Sequence, residues 1–296
     1  MRQVTVCVCT FRRPVLLKRL LDELAAQETG GEFTFSVVIS DNDSGQSARQ
    51  VVEEYAAKSA ISITYCSEPR QNIALARNMA LSKAAGDFIA FIDDDEYPAK
   101  NWLRSLIQTC DAAGADGVLG PVKPYFENEP ARWAVRGKFF DRPTHPTGFR
   151  INLSDARTGN VLFKRSLIAT DAEVFRAQFG TGGEDVDFFR RKMASGAVFV
   201  WCDEAPVFEI VPASRSTRSY LLRRALLRGR NSLRHKSGRT VNVLKSLLAA
   251  PLYVLALPFF YLAGQHHGLK YLIKLCDHGG RLLALVGLNP VSERDL

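Results

Sequence analysis

Several kinds of segment are missing from this 296-residue chain, and each absence closes off a class of protein. No internal repeat and no low-complexity tract occurs, which sets aside solenoids and disordered linkers. The six cysteines, at positions 7, 9, 66, 110, 202 and 276, have neither metal-ligand nor redox spacing. Cys7 and Cys9 share one face of an apolar strand-like run and read as buried reduced thiols. A glycine-rich phosphate loop followed by lysine is lacking near the start, so a sugar nucleotidyltransferase is disfavoured. The opening run Val4-Thr5-Val6-Cys7-Val8 has no charged leader region or cleavage site. No secretory signal is expected, and the catalytic part is expected to stay in the cytoplasm. Acidic residues are absent between Pro212 and Ser246, where eight Arg and two Lys contribute +10 to a net charge of +8. The rest of the chain is therefore slightly acidic, which argues against a protein that coats nucleic acid.

What remains is an ordinary globular composition, 46% apolar and 24% charged. Short apolar runs alternate with helix-period segments through the first half. Strands are expected at Val4 to Thr10, Phe35 to Ser40, Ile61 to Cys66 and Phe88 to Ile92. Helices are expected from Pro14, from about Ser47 to Lys58 and from about Ile73 to Ala85, with another near Lys100 to Ala113. This alternation implies an α/β fold with a mostly parallel sheet and helices on both faces. Ligands of such sheets bind at the carboxyl ends of strands, where Thr10, Asp41 and Asp93 fall. Residues 121 to 157 read as a loop-rich insertion near a site. An apolar run at Asn160 to Leu167, a helix at Asp185 to Ser195 and a last strand at Val198 to Cys202 complete the domain. A basic helix is expected from about Thr217 to His235.

Two acidic clusters carry the chemistry. Asp93-Asp94-Asp95-Glu96 follows directly on a strand, and four adjacent acids repel one another unless a cation or donor groups compensate. Hard cations such as Mg²⁺ or Mn²⁺ bridge one or two carboxylates to a diphosphate. If the chain stays extended, Asp93 and Asp95 share a face, so that one meets a ribose and the other a metal. The alternative is a helix N-cap cluster, although capping needs one acid and not four. Further on, Thr181-Gly182-Gly183-Glu184-Asp185 opens a helix, with glycines that let backbone approach a ligand and a carboxylate available as a base. Capping by Thr181 or by the acids is again the alternative.

From Ser246 to Gly264 run 19 residues without a charge, just enough to cross a bilayer at ~20 residues per span. Pro251 and Pro258 would kink it, leaving a shallow helix, a single anchor or a buried core helix as alternatives. The cationic segment upstream favours contact with anionic lipid on the cytoplasmic side. Residues 269 to 286 look amphipathic.

In order along the chain stand Val8-Cys9-Thr10-Phe11-Arg12-Arg13-Pro14, Ile39-Ser40-Asp41-Asn42-Asp43-Ser44, Asn72-Ile73-Ala74-Leu75-Ala76-Arg77-Asn78, Phe91-Ile92-Asp93-Asp94-Asp95-Glu96, Thr158-Gly159-Asn160 and Gly182-Gly183-Glu184-Asp185. Together they resemble the inverting family-2 glycosyltransferases with the A fold, and among them the bacterial exopolysaccharide and lipopolysaccharide type, most similarly the succinoglycan-type glucosyltransferases. The resemblance covers roughly residues 1 to 230. It implies a catalytic domain over 1–235, and the basic and apolar residues that follow read as a membrane-associated helical tail over 236–296. It also implies nucleotide contacts by Thr10, Arg12, Asp41, Asp43, Arg77, Asp93 and Asp94, with Asp41 accepting from a uracil N–H. Asp95 would ligate Mg²⁺ or Mn²⁺, Asp185 would be the general base with Glu184 beside it, and Arg215 and Arg218 would close over the diphosphate. The first motif departs from the family's usual Pro-x-Tyr-Asn. The processive signature Q-x-x-R-W is absent, which implies transfer of a single sugar. The expected partners are a UDP-sugar, a lipid-linked saccharide acceptor and the inner face of a membrane, with no nucleic acid. The rival readings are transfer to polyprenyl phosphate itself and an inactive membrane-bound scaffold.

Overall fold

A computed structural model describes residues 1–180, 182–233 and 239–291. It packs as two compact units, one of residues 1–123 with 142–209 and one of 124–141 with 210–296. The boundary expected between 235 and 236 falls outside the described residues.

The first unit begins with three β-α repeats: β1 (Arg2–Thr10), α1 (Pro14–Ala25), β2 (Phe33–Asp41), α2 (Arg49–Ala56), β3 (Ser62–Ser67) and α3 (Ile73–Lys83). Along the chain then come β4 (Phe88–Ile92), β5 (Glu96–Pro98), α4 (Trp102–Ala112), β6 (Gly117–Leu119), β7 (Val122–Phe126), which runs on into the second unit, α5 (Arg132–Gly137), which belongs to that unit, and β8 (Asn160–Lys164). Last are α6 (Glu184–Ala194), β9 (Phe199–Trp201) and β10 (Val207–Val211). The main sheet has the order β3-β2-β1-β4-β8-β6-β9. Its first four strands are parallel, β8 runs antiparallel to both β4 and β6, and β9 is parallel to β6. The expected mostly parallel α/β fold is what forms.

Alternation along the strands divides the core. Val4, Val6 and Val8 of β1 face one cluster with Leu17, Leu20, Leu21 and Leu24 of α1 and Trp102, Leu103 and Leu106 of α4. Cys7 faces the other cluster with Ala74 and Ala80 of α3 and Phe188 and Phe189 of α6. A period of two on a central strand thus serves helices on both faces. All six cysteines are free, as expected, and burial raises the pKa of each thiol, that of Cys9 to about 12.

Register decides what meets at the carboxyl edge. Thr10 of β1 pairs with Asp41 of β2, which pairs with Ser67 of β3. Because β8 is reversed, its first residue, Asn160, pairs with Ile92, the last of β4. A motif that precedes a strand therefore joins motifs that follow strands.

Two expectations need correction. Val198 to Cys202 is not the last strand: β10 follows and pairs antiparallel with β5, Val207 against Pro98 and Glu209 against Glu96. The 121–157 insertion holds β7 and α5 as well as loops. These elements are too short for periodicity to reveal, and pairing with distant partners makes them.

The second unit is helical: α5, α7 (Arg218–Asn231), α8 (Arg239–Ala263) and α9 (Gln265–Leu285). Helices α7 and α9 approach backbone to backbone, since a Cβ on Gly229 would lie 2.1 Å from the Asp277 carbonyl and one on Gly280 2.1 Å from that of Leu226. Helix α8 continues through Pro251 and Pro258 and turns into α9 at Gly264. The α8 face toward α9 is polar or small at Asn242, Ser246, Ala249 and Ala250, while Leu247, Leu248, Leu252, Leu255, Phe259 and Leu262 are exposed. Tyr253 and Phe260 of α8 also pack on Tyr271 of α9, so apolar residues lie on the exposed face as well as on the covered one.

Candidate active site

The strand that leads into the acidic run stops at Ile92. Residues 93–96 form a tight turn in which the Glu96 N–H donates to the Asp93 carbonyl (3.1 Å) and the Asp93 N–H donates to Glu96 Oε2 (3.1 Å). The extended backbone that would have aimed Asp93 and Asp95 the same way is absent. The acids diverge instead. Asp94 and Asp95 share the Arg13 guanidinium, at 2.9 and 3.0 Å, and Asp94 also accepts from Thr10 Oγ1 at 2.8 Å. Asp93 turns toward Arg77, 3.9 Å away, and is half exposed.

Arg13 is free for this because α1 starts with Pro14 and has no side-chain cap at its first turn. Asp93 is half exposed, yet the protein packed around its carboxylate desolvates it and pushes its pKa to about 7. Arg77 opposes the shift, and Asp95, Asp94 and Glu209 add to it. Desolvation likewise raises Asp94 against the pull of Arg13, and raises Glu96 well above the carboxylate range. The cleft is short of positive charge.

Gly159 touches this pair of acids: a Cβ there would lie 3.0 Å from Glu96 Oε1 and 3.1 Å from Asp93 Oδ2. Gly159→Ala should therefore displace Asp93 by tenths of an ångström, lowering donor affinity while the melting temperature stays within a few degrees. A titration beside a melting curve checks this, and an unchanged affinity would show that Asp93 placement is not critical.

The second acidic motif reaches the same cleft through Arg77. Asn72 caps α3 by accepting from the N–H groups of Ala74 and Leu75 (3.0 and 3.2 Å), and this helix start presents the buried Arg77. Arg77 is hydrogen-bonded to Glu184, reaches Asp93, and stacks over Phe175 at 5.6 Å. Glu184 is the first residue of α6, after Gly182 and Gly183 with φ of 122° and 94°. Its Oε2 is buried without a hydrogen-bond partner, and desolvation raises its pKa despite Arg77. Asp185 beside it is partly exposed and accepts from the Val186 N–H at 2.7 Å. Asp187 faces away, bonded to Arg191 at 2.9 Å. Thr181 lies outside the described residues.

At the neighbouring strand ends, Asp41 is fully buried and both its oxygens are engaged. Oδ1 accepts from the Asp43 N–H (3.0 Å), and Oδ2 from the Ala48 N–H (2.9 Å) and the Tyr65 hydroxyl (3.1 Å). Asp41 thus holds the 43–48 loop in shape. Arg12, in a left-handed conformation (φ 57°), donates to Asp43 at 3.1 Å. Desolvation works to raise the Asp43 carboxyl, and hydrogen bonds from Arg12, the Gly45 N–H and Ser47 outweigh it, so its pKa falls. Arg215 and Arg218 belong to the second unit, where Arg218 donates to Gln265 (2.7 Å) and lies over Trp133.

Residues 5–170 match the family described as Glycosyl transferase family 2. The chain belongs to that family. It is 31% identical over 301 residues to the succinoglycan biosynthesis protein ExoM of Rhizobium meliloti (strain 1021), covering 98% of this chain and 95% of that protein. Among solved structures, residues 1–349 of Staphylococcus aureus TarS in complex with UDP-GlcNAc align with a TM-score of 0.56 at 17% identity, over 97% of this chain and 93% of that one. GalNAc-T7 with UDP, GalNAc and Mn²⁺ aligns at 0.58 and 15% identity, over 75% of this chain and 47% of that one. These structural likenesses show the A-type glycosyltransferase fold. The protein is a glycosyltransferase.

Sequence reasoning missed several residues of this family-2 site. Arg13 stands in the first motif, and its spacing there carries no sign of the bonds it makes to Asp94 and Asp95. Glu209, on β10, is hydrogen-bonded to Arg142 and acts on Asp93 through space. Arg157, whose pKa is lowered by burial and by Arg142, feels Asp185, Asp155 and Glu209 in return. Asn160 accepts from Trp102 Nε1 (2.8 Å) and donates to the Pro121 and Ala205 carbonyls, which fixes the strand beside the acidic turn. The Thr158-Gly159-Asn160 motif pointed to the last of these, and no local signal marked the others.

Proposed function

We propose that the protein is an inverting transferase that moves one sugar from a UDP-sugar to a hydroxyl of a lipid-linked saccharide during cell-surface polysaccharide assembly. The observation that carries this reading is the link through Arg77, which draws Asp93 and Glu184, 91 positions apart, into one cleft with Asp185 at its mouth. Donor-binding and base functions need that proximity. The names of similar proteins support it: ExoM serves succinoglycan biosynthesis, and the TarS and GalNAc-T7 structures hold UDP or UDP-GlcNAc.

In this reading Asp93 and Asp94 line the ribose and diphosphate side, with Thr10 and Arg13 fixing Asp94. Arg12, Asp43 and Arg77 border the nucleotide, and Asp41 acts by shaping the loop that carries Asp43. Among the described residues no three His, Cys, Asp or Glu are grouped to hold a metal ion by themselves. The donor set is nevertheless oxygen-only, in a cleft short of positive charge. Such a site fits Mg²⁺ or Mn²⁺, which Asp95 would hold. That ion would supply charge neutralisation at the leaving diphosphate. Asp185 takes the proton of the acceptor hydroxyl, whose oxygen bonds to the anomeric carbon as the bond to the diphosphate oxygen breaks. Attack from the opposite side inverts the configuration.

The exposed apolar face of α8 and the cationic segment before it support attachment to the cytoplasmic face of a membrane. Alongside α8, α9 carries Lys270, Lys274, Asp277 and Arg281, charges that are costly in hydrocarbon. Helix α8 therefore lies in the interface by its free face and does not cross the bilayer.

A panel of nucleotide sugars tests the donor. One uridine diphosphate sugar, with Mn²⁺ present, should raise the melting temperature by roughly 5 °C at about a hundredfold over its Kd. Stabilisation by guanosine or thymidine sugars alone would replace the uridine assignment.

A further inference from the structure

Where α7 and α8 both pack on α9, a cavity of about 390 Å³ opens within the second unit. Its lining includes Arg228 from α7, Ser232 just after that helix, Tyr253 from α8, and Lys274, His278 and Arg281 from α9. The active-site reading uses none of these residues.

The cations here are unevenly compensated. Arg228 is neutralised by Asp277, at 2.8 and 2.5 Å. Among the described residues Arg281 is held by neutral oxygens: Nε donates to Ser232 Oγ (2.9 Å), and Nη1 donates to Ser246 Oγ (2.6 Å) and the Asn242 carbonyl (3.4 Å). Lys274 lies over the Tyr271 ring at 5.2 Å. No carboxylate among the described residues pairs with Arg281 or Lys274. Ser246 also meets His278 Nδ1 at 2.9 Å, so α8 and α9 are locked together just where the guanidinium is presented. Partial burial makes an uncompensated guanidinium costly to hold, and an anion relieves that cost. A fixed guanidinium, an ammonium, an imidazole and two hydroxyls around a cavity of small-ligand size match a phosphate group.

We propose that this cavity is a binding site for a phosphate ester carried on a lipid, seated while the apolar face of α8 rests in the membrane. The lipid is inferred from the unit itself, since the cavity shares α8 with the exposed row of Leu247, Leu248, Leu252, Leu255 and Phe259. The proposal rests on the membrane reading above. A bulk anionic phospholipid and a polyprenyl phosphate offer the same phosphate chemistry, and they are separated by dose.

Vesicle flotation of the full-length protein tests it, with phosphatidylcholine alone, with 20 mol% phosphatidylglycerol added, and with 1 mol% polyprenyl phosphate added. Wild type should bind the neutral vesicles weakly and at least one of the phosphate-bearing sets about tenfold more strongly. Lys274→Gln, at an exposed position, and Arg281→Gln should each reduce that increment on the order of fivefold. Arg281→Lys should recover much of it, and unchanged helical circular dichroism would exclude unfolding. Saturation at 1 mol% would identify a dedicated polyprenyl phosphate site, and a response only at 20 mol% a phospholipid headgroup site. An increment that survives in both glutamine variants, or no increment at all, would overturn the proposal. Leu255→Asp serves as the control for the membrane reading: it should abolish binding even to neutral vesicles. If it does not, the membrane reading fails independently of the cavity.

Discussion

Asp185→Asn is expected to lower sugar transfer by roughly 10²–10⁴-fold while leaving nucleotide affinity within about twofold. Asparagine keeps the size of the side chain and still accepts the Val186 N–H, so the first turn of α6 is preserved. The negative charge that removes the acceptor proton is lost. Glu184 cannot take over, because it is buried, tied to Arg77, and raised in pKa by desolvation. Initial rates measured beside a UDP titration separate the two effects. Full activity in the variant would remove Asp185 from the base role. It would favour transfer to an already ionised phosphate acceptor, which needs no base.

Arg77→Met is expected to have the largest effect on the protein as a whole. Methionine retains the apolar stem over Phe175 and removes the cation between Glu184 and Asp93. Glu184 already has one oxygen without a partner, so losing Arg77 leaves a buried carboxylate with no cation and only its own backbone N–H to compensate it. Breaking a buried pair on one side costs about 3–5 kcal/mol. The pH dependence has a definite sign. Burial raises the folded-state pKa of Glu184 above its unfolded value, and without Arg77 it rises further. The folded variant then binds more protons than the unfolded chain, so its penalty grows as pH rises through the folded-state pKa and shrinks as pH falls. Denaturant melts of wild type and variant at pH 5.5 and 8 measure this. A penalty that is equal at both pH values would show that Glu184 stays charged and is otherwise satisfied.

The sheet was largely readable before the structure because its signals are local. Alternation in Val4 to Val8, the leucines of α1 and the turn formers after Asp41 each announce an element within a dozen residues. The meeting of Thr10, Asp41 and Asp93 at one edge followed from parallel topology alone. The directions of the acids did not. Whether Asp93 and Asp95 share a face depends on a turn closed by Glu96, and that turn depends on β5 pairing with β10 more than a hundred positions later. Arg13, Arg142, Arg157 and Glu209 were invisible for the same reason, since an ion pair across the fold leaves no spacing in the chain. The apolar run of α8 stood out in the sequence. That its leucine row at Leu247, Leu248, Leu252 and Leu255 stays uncovered, while Ser246 meets His278, required α9 beside it.

The most direct test of the central claim, that the acidic turn is the donor site and Asp185 acts on a separate step, is a calorimetric titration of UDP. Wild type, Asp95→Ala and Asp185→Asn are compared with Mn²⁺ present and with chelator. Wild type and Asp185→Asn should bind alike and only with the cation, and Asp95→Ala should lose at least about tenfold in affinity. UDP binding that is indifferent to both the chelator and Asp95→Ala would contradict the account.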